Sequence, residues 1–234
     1  AASDWGCAYS AERRASIDAT GASRVVVIAR AGDLAVRPAT GAVVLGTGRA
    51  CTSSEDDLRE TQLTARRDGD VIYVEAVLPG EKKGFGRFYA SLDLTVEVPG
   101  GLPVDIDDTS GDIEAHDVRV EKVNDSSGDI ELRGIGGDVE ITDTSGDVSV
   151  AKVAGRVRVQ DSSGDIVIDG AREVVIPSDS SGDITVEHIA GDVRIERDSS
   201  GDIRIKDVGG NVQLLSDTSG EVKVSHVKGT VQLP

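Results

Sequence analysis

Aspartate and serine are the residues of this 234-residue chain that could do chemistry, because they recur together at fixed intervals. The pentapeptide Asp-Ser/Thr-Ser-Gly-Asp occurs at Asp108–Asp112, Asp125–Asp129, Asp143–Asp147, Asp161–Asp165, Asp179–Asp183 and Asp198–Asp202. A seventh copy, Asp217–Glu221, ends in Glu. Rows of carboxylates at one interval could hold calcium or supply acids along one face. They could equally be turn residues. Asp and Ser bond nearby backbone N–H groups, and Gly accepts the positive φ that leaves a tight corner. Turn chemistry accounts for all seven first aspartates (Asp108, Asp125, Asp143, Asp161, Asp179, Asp198, Asp217) and the seven central serines (Ser110, Ser127, Ser145, Ser163, Ser181, Ser200, Ser219) without a ligand.

The other chemical readings are weaker. The Gly-Gly-x-Gly-x-Asp nonapeptide of calcium-binding toxin rolls is missing, so structural calcium remains only an alternative and no cofactor is expected. His188, Asp207 and His226 share one slot in successive turns, but two turns separate the histidines by roughly 10 Å. They read as an exposed charge ladder rather than a metal site. Asp138 precedes Arg156 and Glu140 precedes Arg158 in a similar ladder. With three histidines, no Gly-x-Ser-x-Gly elbow, no zinc spacing and no phosphate loop, the chain does not read as an enzyme.

The elements that position these residues follow from the interval. First residues of successive copies are 17, 18, 18, 18, 19 and 19 apart. A fixed period of this size marks a solenoid, whose turns bury apolar surface only by stacking. Within each period two runs alternate polar and apolar residues, as in Asp147-Val148-Ser149-Val150 and Arg156-Val157-Arg158-Val159-Gln160. Ile130, Val148, Ile166, Ile184, Ile203 and Val222 share one inward slot, and Leu132, Val150, Ile168, Val186, Ile205 and Val224 the next. The second run supplies Val139, Val157, Val193, Val212 and Val231, then Ile141, Val159, Ile195, Leu214 and Leu233. Such β-branched residues suit a packed sheet. We therefore expect an all-β, single-stranded parallel β-solenoid (β-helix) of about 18 residues per turn, right-handed like most parallel crossovers. Seven turns rise roughly 34 Å. Pro177 predicts a bulge, and the turn from Asp108 (Val120, Val123) is poorly patterned.

Three segments are expected: 1–23 as a tied N-terminal segment, 24–107 as irregular N-terminal turns, and 108–234 as seven regular turns. In the middle one, Ser53–Arg59 predicts a short helix that could cover an open end, and Gly80–Phe88 a mobile hairpin tip. Cys7 and Cys51 are the only cysteines and are expected to form a disulfide. Trp5 and Tyr9 should pack locally beside Cys7. The sequence holds no Met and begins Ala1-Ala2-Ser3-Asp4, as a secreted protein would after signal cleavage. No apolar run reaches membrane-span length, so no membrane insertion is expected. A net charge of −17 argues against nucleic acid and anionic lipid, and 3% aromatic residues leave few stacking platforms.

The run Leu92–Ile106 followed by Asp-Thr-Ser-Gly-Asp-Ile resembles the bacterial adhesin-type β-strand-repeat family, also called toastrack domains. Ala31-Gly32-Asp33-Leu34-Ala35-Val36 is similar to that family's opening element. The resemblance implies a secreted or cell-surface bacterial β-solenoid with structural, adhesive or signal-presenting roles, and it brings no catalytic residues. A sensory module of an envelope-stress system, with a surface or envelope protein as partner, is the alternative. The last turn suggests one more partner. Val222, Val224, Val227, Val231 and Leu233 form an edge with no polar segment after it, on which another copy could stack head to tail into fibres.

Overall fold

The structure, a computed structural model, describes residues 7–80 and 89–234. Trp5 and most of the Gly80–Phe88 tip therefore lie outside the described residues. The N-terminal part contains β1 (Tyr9–Asp18), β2 (Arg24–Ile28), β3 (Leu34–Ala39), β4 (Val43–Thr52), α1 (Glu55–Glu60), β5 (Gln62–Asp68), β6 (Val71–Val77) and β7 (Ala90–Pro99). From there the chain passes back and forth between two sheets. One takes β9 (Ile113–His116), β11 (Ile130–Arg133), β13 (Val148–Ala151), β15 (Ile166–Ala171), β17 (Ile184–Ile189), β19 (Ile203–Val208) and β21 (Val222–Val227). The other takes β8 (Pro103–Asp107), β10 (Arg119–Asn124), β12 (Val139–Thr142), β14 (Arg156–Gln160), β16 (Glu173–Ser178), β18 (Val193–Ile195), β20 (Val212–Leu214) and β22 (Val231–Gln232).

Each strand pairs in parallel with its counterpart one turn away, so the fold is the expected β-solenoid. Ile130 lies between Ile113 and Val148, and Val157 between Val139 and Val174. The inward columns are buried: Ile130, Val148, Ile166, Ile184 and Ile203 are each fully enclosed. A third column at the far corner, Ile135, Val153, Ala171, Ile189 and Val208, completes the aliphatic core. The ladder shifts between Arg158 and Gln160, opposite Val175 and Ser178, so Pro177 sits in the predicted bulge. A second shift at Glu121 explains the poor pattern before it: Val120 and Val123 are both buried, one on each side of the extra residue.

The N-terminal end corrects a purely parallel reading. β1 pairs antiparallel with β4, β4 with β7, and β5 with β6. Strand order also departs from chain order. The turn β2–β3 lies between the turn β6–β7 and the turn β8–β9. Parallel stacking thus continues past Asp108 toward β6 and β7, while β1, β4 and β5 close that end. α1 packs against β1 and β4. Its start is capped by Ser54, whose Oγ accepts the Asp57 N–H at 3.1 Å. Its end is held by Arg13 of β1, which donates to the carbonyls of Leu58 (2.6 Å) and Thr61 (2.8 Å).

Candidate functional site

The pentapeptide forms the corner between the two sheets, and each of its positions builds a column along the stack. Glycine comes first, because it decides how close the turns approach. Gly111, Gly128, Gly146, Gly164, Gly182, Gly201 and Gly220 have φ between 121° and 139°. A Cβ on Gly146, Gly164, Gly182, Gly201 or Gly220 would strike the carbonyl of the corner glycine one turn earlier. Two requirements coincide here: a backbone conformation that L side chains rarely adopt, and no room for any side chain.

The serines clasp consecutive turns. Ser127, Ser145, Ser163, Ser200 and Ser219 each donate Oγ–H to a carbonyl of the preceding pentapeptide at 3.1 Å, and Ser181 does so at 3.3 Å. Ser110 reaches the carbonyl of Arg30 at 3.5 Å. The last Asp of each pentapeptide does a similar job with its carboxylate. Asp112 accepts the Asp129 N–H, and the pattern repeats through Asp129, Asp147, Asp165, Asp183 and Asp202 at 2.8–3.0 Å. That column extends backward through two residues the repeat search misses. Asp33 accepts from Asp112, and Asp93 accepts from Asp33, both at 3.3 Å. Ala31-Gly32-Asp33 keeps the glycine of the motif, and Ser91-Leu92-Asp93 only its serine.

The first Asp of each pentapeptide turns inward. Asp108, Asp125, Asp143, Asp161, Asp179 and Asp198 are all at least nine-tenths buried, and Asp179 and Asp198 are each 1% exposed. Only Asp217, at the end, is half-buried. This differs from an ordinary solvated turn cap. One oxygen still caps the corner: Asp108, Asp125, Asp143 and Asp161 accept the next residue's N–H at 2.6–2.7 Å. The other oxygen of each is buried without a hydrogen-bond partner; in Asp179 and Asp198 neither oxygen makes a well-formed hydrogen bond, although the amides of Ser180 and Ser181, and of Ser199 and Ser200, lie close enough to favour the charged form. Burial, then the Asp161 and Asp198 carboxylates, push Asp179 up to about 7. Burial raises Asp108 to about 6, opposed by the amide of Thr109. Burial likewise raises Asp125, Asp143, Asp161 and Asp198.

At the opposite corner, His188, Asp207 and His226 hold φ between 53° and 57°, the slot that Gly134 and Gly170 fill in earlier turns. They form a more connected ladder than a row of solvated charges. His188 Nδ1 lies 2.6 Å from Asp169, and His226 Nδ1 lies 2.9 Å from Asp207. Asp169, one residue ahead of the slot, is the member sequence reasoning misses. The hydrogen bond to Asp169 raises the His188 pKa. An open groove of about 660 Å³ runs beside this ladder, lined by Ala190, Gly209 and Lys228 among others. Among the described residues, no three His, Cys, Asp or Glu side chains converge to hold a metal ion. Arg158 reaches Glu140 at 3.5 Å, whereas Asp138 accepts the Arg156 backbone N–H at 2.8 Å and the Arg156 side chain turns to Glu173.

Cys7 and Cys51 are joined in a disulfide with Cα atoms 5.3 Å apart, tying the start of the described chain to β4. At the other end, Val222, Val224 and Val227 are half-buried, while Val231 and Leu233 are 47% and 46% exposed. No helix among the described residues is long and apolar enough to cross a membrane.

Residues 29–176 match the family described as Toastrack DUF4097. No curated protein matches the chain. Among solved structures, a "Putative lipid binding protein" from Parabacteroides distasonis is similar at a TM-score of 0.53 and 15% identity, covering 97% of this chain and 95% of that one. A "putative adhesin" from the same species gives a TM-score of 0.50 at 12% identity, with 98% of each chain covered. Likeness at these identities concerns the fold.

Proposed function

The chain belongs to the Toastrack DUF4097 family, and from that premise we propose that it is a non-enzymatic β-solenoid scaffold, secreted or held at the bacterial cell surface, with an adhesin-like or structural role. One observation carries this reading: the repeated serines and outer aspartates are engaged within the stack itself. Serine hydroxyls meet carbonyls of the preceding turn, and outer aspartates meet amides of the following turn. Chemistry-bearing residues so engaged are devoted to building a long, stiff body, and what remains outward is two extended charged sheet faces. The Cys7–Cys51 disulfide favours an oxidising compartment. A neighbour in fold named a "putative adhesin" is in keeping with this role. The test uses intact cells of the source bacterium. Protease shaving should release the protein, and thiol trapping should find both cysteines oxidised. Recovery only from the cytosol, with both thiols free, would overturn the proposal.

End-to-end addition is the second reading, favoured by the position of β21 and β22 as the last strands of the two sheets, with Val231 and Leu233 exposed beside them. The far end offers no matching parallel edge: β1 and β5 are antiparallel and carry Glu12, Arg14, Arg66 and Arg67. Contact between two C-terminal edges therefore fits better than a head-to-tail fibre. Light scattering across a concentration series decides it. Discrete dimers support edge-to-edge contact, and monomers at every concentration remove it.

A further inference from the structure

Buried polar atoms in folded proteins nearly always find a partner, so a file of carboxylate oxygens without one calls for an explanation. Six aspartates from successive turns (Asp108, Asp125, Asp143, Asp161, Asp179, Asp198) point into one enclosed column, each with at least one unpartnered oxygen. Three occupants could satisfy such a file: cations, waters or protons. A cation needs several ligands converging on one point, and among the described residues no such group exists. The other candidate ligands of the corner are occupied. Serine hydroxyls are turned to carbonyls and outer aspartates to amides.

The neighbours of the column decide between a proton and a charge. Asp179 faces Asp161 and Asp198 in the adjacent turns, Asp161 faces Asp143 and the outer Asp147, and Asp143 faces the outer Asp129. Asp125 faces Asp143 and the outer Asp112, Asp108 faces Asp125, and Asp198 faces Asp217. Every one of these is a carboxylate. Among the described residues, no basic side chain acts on the column by charge: Arg30 pairs with Glu75, Arg204 with Asp183 and Asp202, and Arg197 is exposed. Like charges at strand spacing, in an enclosed column, cannot all ionise.

We propose that the inner aspartates form a file of shared protons centred on Asp179, in which a protonated carboxyl donates its O–H to the unpartnered oxygen of the carboxylate one turn away. The solenoid then takes up protons as it folds. The sign follows from the folded pKa values, which lie above those of the unfolded chain. Stability from the file is fully present below the unfolded value of 3.8 and is lost as pH rises through about 6 for Asp108 and about 7 for Asp179. Mild acid strengthens this protein. Carboxylates paired with cations would behave the opposite way.

The experiment is urea unfolding of the full chain between pH 5 and 8, with infrared spectra of the folded protein near pH 6. One shared proton makes the folding constant fall about tenfold per pH unit between pH 5 and 7. Asp179→Asn places an N–H donor in the file at every pH. It should unfold at higher urea than wild type at pH 8 and lose that advantage at pH 5. Glu131→Gln, on the exposed face of β11, removes the same charge and should give no pH-dependent gain. The infrared spectrum of the wild type should show a protonated-carboxyl band that shrinks in Asp179→Asn. If Asp179→Asn does not fold, the wild-type band decides alone. Absence of that band, or stability unchanged from pH 5 to 8, overturns the proposal. So does a loss of stability on chelation that calcium restores, which would assign the column to a cation instead.

Discussion

The N-terminal region and the C-terminal repeats of this chain are built on opposite plans. A parallel stack always leaves an edge of unpaired backbone groups. At the N-terminal end the edge is closed by long antiparallel strands, a helix and a disulfide, with Arg13 bridging from β1 to the end of α1. At the C-terminal end the same ladder of corners runs on unchanged to β21 and β22. The N-terminal region relies on particular residues used once. The repeats rely on a few residues used many times. Order in the first is lost one contact at a time, and in the second through whatever touches the shared columns.

Substitutions can break that contrast, and the corner glycine should do so most strongly. Gly164→Ala forces a Cβ against the carbonyl of Gly146 at φ 136°. We expect a loss of roughly 3 kcal/mol or more in urea unfolding. Gly41→Ala, between β3 and β4, meets open space and should stay within about 0.5 kcal/mol. Equal effects would mean that the glycine column is not what sets the approach of the turns.

Replacing Cys7 and Cys51 together by Ser should cost about 2–4 kcal/mol. Amide exchange should quicken in β1, β4 and α1 while β13 to β17 keep their protection. Loss of protection throughout would show that the closed end and the stack unfold as one. Ser54→Ala removes the helix cap and should cost about 1 kcal/mol, with faster exchange confined to α1. A similar effect belongs to Ser163→Ala, which deletes the bond to the Thr144 carbonyl. It should cost about 0.5–1.5 kcal/mol by chemical denaturation. Doubling the change with Ser145→Ala should then exceed the sum of the singles if neighbouring clasps cooperate.

Regular turns were legible because each repeats the test of the last. One period of alternation is ambiguous, whereas six copies of Ser-Gly-Asp and one of Ser-Gly-Glu at the same phase fix inward and outward faces together. The Pro177 bulge was legible for the same reason, as a departure from a rule already established. The closed end was not. Nothing local in Arg24–Ile28 or Leu34–Ala39 says that these strands slot between β6–β7 and β8–β9, since strand order is a long-range property. Asp93 illustrates the loss: it serves the outer column with Ser91 two residues before it but Leu92 where the corner glycine stands elsewhere. The inner aspartates cap their corners as the sequence indicates, but their burial is not legible, because a solvated turn cap and a buried carboxyl share one sequence pattern. Only the packing of neighbouring turns tells them apart.

The insertion of β2–β3 between later strands has a consequence for how the chain is made. A ribosome delivers β2 and β3 early, yet their partners β6 and β7 on one side and β8 and β9 on the other come much later. The first turn synthesised stays unpaired until β6 and β7 have been made and keeps one side open until Ile113 follows, and closing those loops carries an entropic cost that local turns avoid. After that point each new repeat finds a finished template one turn below. Biogenesis thus divides into a slow clasping of the first hundred or so residues and a fast winding of the rest.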